Sequence, residues 1–217
     1  MRRDLILLTG FDAFGGEPLN PSWQVAQALD GWSWRDHRVR ALQLPTVFGR
    51  SRAVLDEALR DRRLALVLCL GQAAGRGELS LERVAINVDD ARIADNAGAV
   101  PVDQVIVPGG PAACFSTLPI KAMAAAVQAA GIPAGISQTA GTFVCNHVFY
   151  ALQHRLRRRA VRSGFMHLPL LPEQGDRFPG LPVMPLAQQI EGTRVALAAA
   201  VDQGGRQDLR LGGGALS

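Results

Sequence analysis

The chain has 217 residues, of which 48% are hydrophobic and 19% charged, with a formal net charge of +4. This length can bury a real hydrophobic core in one domain, and the composition is ordinary for a folded globular protein, so disorder is not the default expectation. No apolar stretch reaches the roughly 20 residues of a membrane span, and three cysteines are an odd number, unsuited to a disulfide framework. We therefore expect a cytoplasmic protein without a membrane anchor.

Short apolar runs alternate with helical patterns along the chain. The runs predict strands at residues 5–11, 39–45, 64–71, 84–88, 134–141 and 164–171. In "NPSWQVAQAL", Asn20 is the predicted N-cap and Pro21 the first helical residue. Further helices are predicted at "SRAVLDEALRDRR", "LPIKAMAAAVQAAG", "CNHVFYAL" and "LAQQIEGTRVALAAAV". The alternation predicts one α/β domain over residues 1–203, with helices on both faces of a mainly parallel sheet. Residues 204–217 lack periodicity and are predicted to form a mobile tail.

One run of basic residues, "HRLRRRAVR" at 154–162, raises the question of nucleic-acid binding. If the helix from "CNHVFYAL" continues into it, Val148, Leu152 and Leu156 form its inner face. The arginines then lie on the solvated last turn, where they complement the helix dipole. No nucleic-acid-binding motif accompanies the run, so we predict no nucleic-acid partner.

Four distinctive segments follow predicted strands. They are "TGFDAFGG", "LGQAAGR", "GTFVCNHVFY" and "HLPLLPEQ". In open α/β sheets, sites form beyond the carboxyl ends of the strands. The shared placement of these segments predicts that they build a single site.

Cys145 in "GTFVCNHVFY" is the candidate nucleophile. It lies near a predicted helix start, where unpaired N–H groups and the dipole would lower the pKa of its thiol and could hold an oxyanion. The alternative is a buried structural cysteine, an interpretation that fits Cys69 in "LALVLCLG" well.

His147 is close to Cys145 in sequence but is not expected to be its base. Residues two apart on a helix point to nearly opposite sides, so His147 is predicted to pack or cap. His167, at the end of the strand "GFMHL", is the better candidate for the base. The chain alone leaves the carboxylate that orients it open among Glu78, Glu82, Asp89, Asp90 and Asp95.

Four motifs together resemble a known family. "TGFDAFGGEPLNPSW", "LERVAINVDDARIADN", "GTFVCNHVFY" and "GFMHLPLLPEQ" are similar, in this order, to pyrrolidone-carboxylate peptidases, also called pyroglutamyl peptidases I. The resemblance extends from residue 5 to about residue 200. It implies a cytosolic, cofactor-free cysteine peptidase with an α/β/α sandwich around a mixed, mainly parallel sheet. It also implies a homotetramer that removes the N-terminal pyroglutamyl residue of peptides.

By this resemblance, Cys145 is the nucleophile, His167 the base and Glu82 the third member of a triad. The family pattern adds supporting and substrate-binding residues, which are Arg92, Asp95, Phe11, Phe14, Phe143 and Gln72. A slot of phenylalanines suits the flat, neutral lactam ring of pyroglutamate, which offers no ammonium group to bind. Single phenylalanines are more often plain core, but Phe11 and Phe14 lie in a glycine-bounded loop.

Two other functions remain open from the sequence. A cysteine hydrolase or amidase acting on a related lactam or acyl group could use the same residues, and so could a non-catalytic protein that binds a small molecule. A metal site is not expected, because Cys145, His147, His154 and His167 do not form a tetrahedral ligand set.

Overall fold

The computed structural model describes residues 4–214. These residues form nine strands and five α-helices. The strands are β1 (Leu5–Phe11), β2 (Ser33–Trp34), β3 (His37–Leu44), β4 (Leu64–Gln72), β5 (Leu79–Glu82), β6 (Val84–Ile86), β7 (Ala113–Phe115), β8 (Ala134–Ser137) and β9 (Arg162–Leu168). The helices are α1 (Pro21–Ala28), α2 (Arg50–Ala58), α3 (Ile120–Ala129), α4 (Val144–Leu156) and α5 (Leu186–Gln203). No helix in residues 4–214 is long and apolar enough to cross a membrane.

Seven strands form one mixed sheet in the order β2-β3-β1-β4-β9-β5-β8. The four central strands β3, β1, β4 and β9 are parallel to one another. β5 is antiparallel to β9 and parallel to β8, so β5 and β8 run against the central strands. The predicted α/β class with a mainly parallel, mixed sheet is therefore confirmed.

Helices cover both faces of the sheet. Ile6 and Leu8 of β1 pack with residues of α1, α3 and α5, whereas Leu5 and Leu7 pack with residues of α2 and α4. This division follows from the two-residue period of a strand, which sends successive side chains to opposite faces. Strands β1 and β4 therefore read as nearly continuous apolar runs, because both of their faces are buried.

The sequence located the helices well. Asn20 is the N-cap of α1 and its side chain accepts a hydrogen bond from the backbone N–H of Ser22 (3.1 Å). On α4, Val148, Leu152 and Leu156 are all buried, as the helical pattern predicted.

The strands around residues 79–88 differ from the prediction. The run at 84–88 is not in the main sheet, since Val84–Ile86 pairs only with β7 in a separate two-stranded sheet, while the unpredicted β5 joins the main sheet. The described part of the predicted tail, residues 204–214, is largely exposed but makes a few hydrogen bonds to the domain, and its mobility stays a prediction. Asp208 accepts bonds from the N–H groups of Lys121 and Ala122 at the start of α3, and Gly213 O accepts one from Arg83. Residues 215–217 lie outside the described residues.

Candidate active site

A cavity of about 300 Å³ is lined by residues from all four of the segments that the sequence singled out, together with a few residues that lie outside them. Its lining is largely apolar, with a few polar groups, as is usual for small-molecule sites. The lining residues are Phe11, Phe14, Asn20, Thr46, Gln72, Ala73, Ala74, Arg76, Ala140, Gly141, Phe143, Val144, Cys145 and His167.

The strand period brings the polar residues of the cavity to the face that α4 covers. On β9, Phe165 packs into the α2/α4 core, and His167 lies two residues further along the same face. On β4, Gly71 is the Cα partner of His167. A Cβ on Gly71 would lie 2.8 Å from Cys145 Sγ, so the missing side chain leaves room for the thiol.

Cys145 is the second residue of α4, which begins at Val144 after the N-cap residue Phe143. The sequence predicted a thiol with a lowered pKa here, but the structure shows the opposite. Although part of Cys145 is accessible from the cavity, burial of the thiol raises its pKa to about 12, and the charge of Glu82 acts in the same direction. The cation of Arg76 lowers the pKa by a smaller amount. Desolvation therefore outweighs the helix start, and the thiol is neutral at pH 7.

His167 and Glu82 form a buried pair. His167 Nδ1 lies 2.7 Å from Glu82 Oε1, and Glu82 is fully buried. Ser80 is the partner of His167 across the antiparallel β5–β9 pair, so Glu82 is its diagonal neighbour on the same face. Burial lowers the pKa of His167 below its ordinary value, against the opposing effect of Glu82. A neutral imidazole that donates Nδ1–H to the carboxylate leaves Nε2 as a proton acceptor.

His147 lies in a second carboxylate–histidine pair, away from the cavity lining. Its Nδ1 is 2.7 Å from Asp89 Oδ2, and its Nε2 accepts a hydrogen bond from the N–H of Gly49 (3.2 Å). Both ring nitrogens are thus engaged, and the ring also contacts Phe48 edge-on at 5.6 Å. His147 holds the loop before α2 against α4, which agrees with the predicted packing role.

The predicted phenylalanines and Gln72 all border the cavity. Phe11 is almost fully buried, whereas Phe14 and Phe143 are half-buried, with ring centroids 6.2 Å apart. Phe48, which the sequence did not single out, supports Phe143 with an edge contact at 5.3 Å. Gln72 Oε1 accepts a hydrogen bond from Gln174 Nε2 (3.1 Å), which fixes its amide.

The two predicted supporting residues have different surroundings. Asp95 is buried and accepts hydrogen bonds from the N–H groups of Phe48, Ala97 and Ala99. Burial opposes its ionisation, but these bonds prevail and lower the pKa of Asp95. Arg92 is exposed and does not line the cavity, so this chain does not bring it to the reacting groups. The supporting role of Arg92 therefore stays a prediction.

Arg76 is a second residue that the sequence did not single out. Its Nη1 donates to Glu82 Oε1 (2.7 Å), the oxygen that also binds His167, and its Nη2 donates to Thr139 O (2.9 Å). The only available signal was its position in "LGQAAGR", directly after β4. In residues 4–214, no group of three histidine, cysteine or acidic side chains could hold a metal ion.

Comparison with known proteins identifies the family. The model of the pyroglutamyl peptidase family matches residues 4–203. The chain belongs to the pyroglutamyl peptidase family. Among curated members, the pyrrolidone-carboxylate peptidase of Cupriavidus taiwanensis is 56% identical over 214 residues, which cover 97% of this chain and 98% of that protein. That of Klebsiella pneumoniae is 55% identical over 211 residues, with the same coverage.

Solved structures of pyroglutamyl peptidases share the whole fold. The pyroglutamyl peptidase I of Bacillus amyloliquefaciens superposes with a TM-score of 0.91 at 42% identity, covering 98% of this chain and all of the other. A variant of the pyrrolidone carboxyl peptidase of Pyrococcus furiosus has a TM-score of 0.89 at 39% identity, covering 92% and 99% of the two chains. The family resemblance and the fold predicted from the sequence are both confirmed.

Proposed function

We propose that Cys145, His167 and Glu82 are the catalytic triad with which this cysteine peptidase removes an N-terminal pyroglutamyl residue from peptides. One observation carries the proposal. His167, fixed at Nδ1 by the buried Glu82, lines the same cavity as Cys145, so its Nε2 is left to serve the thiol. These side chains come from β5, β9 and the start of α4.

The protonation states determine the first chemical step. Since the pKa of Cys145 is raised and that of His167 is lowered, the resting pair is a neutral thiol and a neutral imidazole. His167 Nε2 takes the thiol proton as Sγ attacks the pyroglutamyl carbonyl carbon. The resulting imidazolium is stabilised by the Glu82 carboxylate. The imidazolium of His167 then gives its proton to the amine of the next residue as the C–N bond breaks.

The second half of the reaction releases the pyroglutamate. Water attacks the thioester carbon while His167 Nε2 removes its proton, and the C–S bond breaks as the sulfur regains a proton from the imidazolium. The oxyanion of each tetrahedral intermediate must be stabilised by hydrogen-bond donors. The first N–H groups of α4, including that of Cys145, have no partners within the helix and supply them.

The lining of the cavity supports selection of a blocked N-terminus. Among the described residues that border it, none is acidic, so a free α-ammonium group would find no counter-ion. Phe11, Phe14 and Phe143 offer apolar faces to the lactam ring, and Gln72 offers a polar group for the lactam amide. An open-chain glutamate carries a free α-ammonium group, which would lose its hydration without an acidic partner in the cavity, and it is disfavoured for that reason.

Release of a fluorogenic amine from its pyroglutamyl amide, compared with the prolyl and glutamyl amides, tests the function. We expect cleavage of the pyroglutamyl amide alone, and a loss of at least about 10³-fold in kcat for Cys145→Ser and His167→Ala. His147→Ala is the matched control, and its kcat should remain within about tenfold of wild type because its ring is held by Asp89, Gly49 and Phe48 and does not line the cavity. Loss of turnover in His147→Ala with activity intact in His167→Ala would reverse the assignment of the base.

We propose in addition that the chain acts in the cytoplasm as a homotetramer. All three cysteines are free thiols, which suits a reducing compartment. Five large apolar side chains are exposed along residues 93–115, and such surface favours self-association. They are Ile93, Val100, Val102, Val105 and Phe115. Light scattering after gel filtration should give four times the chain mass of 23.2 kDa, and a monomer would contradict the tetramer.

A further inference from the structure

We propose that Arg76 is a positioning residue of the active site, which pairs with Glu82, aligns it for His167 and fastens the cavity wall before Cys145. The inference rests on the triad proposed above. Arg76 lies in the short connection between β4 and β5, where Gly75 adopts a left-handed conformation with φ of 87°. Its side chain is one-quarter exposed and borders the cavity.

The first part of the role is electrostatic. Glu82 has no exposed surface, and its Oε2 has no hydrogen-bond partner among the described residues. A buried carboxylate is costly unless a cation and hydrogen bonds compensate it. His167 is neutral at rest, so Arg76, at 2.7 Å from Oε1, is the cation that balances the charge of Glu82.

The second part is geometric. Arg76 Nη2 donates to Thr139 O at 2.9 Å, and the hydroxyl of Thr139 accepts the N–H of Gly141 at 3.0 Å. Ala140 and Gly141 border the cavity and lead into α4, on which Cys145 lies. The planar guanidinium of Arg76 therefore binds both Glu82, which orients His167, and Thr139, which lies in the cavity wall before Cys145. Lysine cannot make both contacts with this geometry.

The positive charge of Arg76 also acts on the reacting pair. The titratable groups that face His167 and Cys145 are Glu82, Arg76 and the buried thiol of Cys69. Arg76 lowers the pKa of both His167 and Cys145. Without this charge, imidazolium becomes easier to form, so His167 stays protonated, and inactive as a base, up to a higher pH.

Arg76→Gln and Arg76→Lys separate charge from geometry. For Arg76→Gln we expect kcat to fall about 10- to 100-fold, the effect of losing one charge-assisted hydrogen bond, and the acidic limb of kcat/KM to move to higher pH. For Arg76→Lys the acidic limb of kcat/KM should stay near that of wild type, because the positive charge is kept. KM should rise, because the hydrogen bond to Thr139 O is lost. A purely structural role would lower the melting temperature without moving the limb.

A double-mutant cycle with Glu82→Gln completes the test. If Arg76 acts through Glu82, replacing Arg76 should cost much less kcat in the Glu82→Gln background than in wild type. Arg40→Gln is the control, since Arg40 lies on β3 and pairs with Asp61 outside the cavity. This variant should keep the kcat and the acidic limb of wild type.

Two results would overturn the role of Arg76. One is an unmoved limb with kcat within twofold of wild type in Arg76→Gln, and the other is full additivity with Glu82→Gln. Either result would leave the triad standing as long as Cys145→Ser is inactive. An active Cys145→Ser would instead refute the proposed function.

Discussion

Gly71→Ala tests whether the space beside the thiol is a requirement of catalysis. The new Cβ would lie 2.8 Å from Cys145 Sγ and 2.8 Å from Phe165 Cζ. Ordinary contacts begin at 3.4 Å, so each neighbour would have to yield by about 0.6 Å. Phe165 is fully buried between Phe11 and Phe149, at centroid distances of 6.4 and 5.8 Å. The thiol, which borders the cavity, is therefore the freer of the two neighbours to move.

The size of the effect follows from this displacement. A shift of about 1 Å in a reacting group can cost a hundredfold in rate, so a shift of 0.6 Å should lower kcat by roughly tenfold or more. Overpacking should lower the free energy of unfolding by about 1–3 kcal/mol. Turnover of the pyroglutamyl fluorogenic amide and urea unfolding followed by circular dichroism measure the two quantities on the same preparation.

Gly164→Ala is a matched control on β9. Its Cβ would meet Ser116 Oγ at 2.5 Å and Leu118 Cδ1 at 2.6 Å, which is crowding at least as tight but away from the cavity lining. We expect a comparable loss of stability with a nearly unchanged kcat in the folded protein. Wild-type kcat in folded Gly71→Ala, or an equal loss of kcat in Gly164→Ala, would refute the proposed constraint on the thiol.

Two further predictions concern protonation. Because burial lowers the pKa of His167 below its ordinary value of 6.5, the neutral base persists to lower pH, and kcat/KM should decline only as the pH falls below 6.5. This acidic limb of the pH profile belongs to the coupled Cys145–His167 pair. A decline in kcat/KM that begins above pH 6.5 would contradict the burial of the base. Because the pKa of Cys145 is raised to about 12, the ultraviolet thiolate absorbance of wild type minus Cys145→Ser should show no titration step near neutral pH. A step at neutral pH would indicate a resting thiolate instead.

The sequence could predict what depends on local patterns. The helix period placed Val148, Leu152 and Leu156 in the core, and the N-cap signal placed the start of α1 at Asn20. The same helix geometry separated His147 from the thiol, since side chains two positions apart diverge. Each of these depends on neighbours within a few residues, so no tertiary contact was needed.

Strand β5 was missed for a reason that concerns the site itself. Leu79 and Leu81 face the core that α3 and α5 cover, while Ser80 and Glu82 alternate with them and face the other side. All four residues are buried, but two of them are polar, so the apolar run that usually marks an inner strand is absent. One of the two residues that break the apolar pattern is Glu82, which contacts His167.

The rule that sites form at the carboxyl ends of strands applied only in part. β1, β4 and β9 are parallel and bring Phe11, Gln72 and His167 to one rim. β8 runs the opposite way, so the chain reaches Cys145 through the loop of residues 138–143 rather than directly from a strand end. The orientation of β8 depends on its pairing with β5, which is distant in sequence.

By itself the sequence determined the α/β class, the helix that begins beside Cys145, the separation of His147 from the thiol and, through its motifs, the family. Only the tertiary structure decided the pKa of the thiol and the involvement of Arg76. Desolvation depends on every chain segment that surrounds a group, so the burial of Cys145 outweighs the local effect of its helix start. In the same way, the contact of Arg76 with Glu82 and Thr139 exists only because the folded sheet brings three separate connections together.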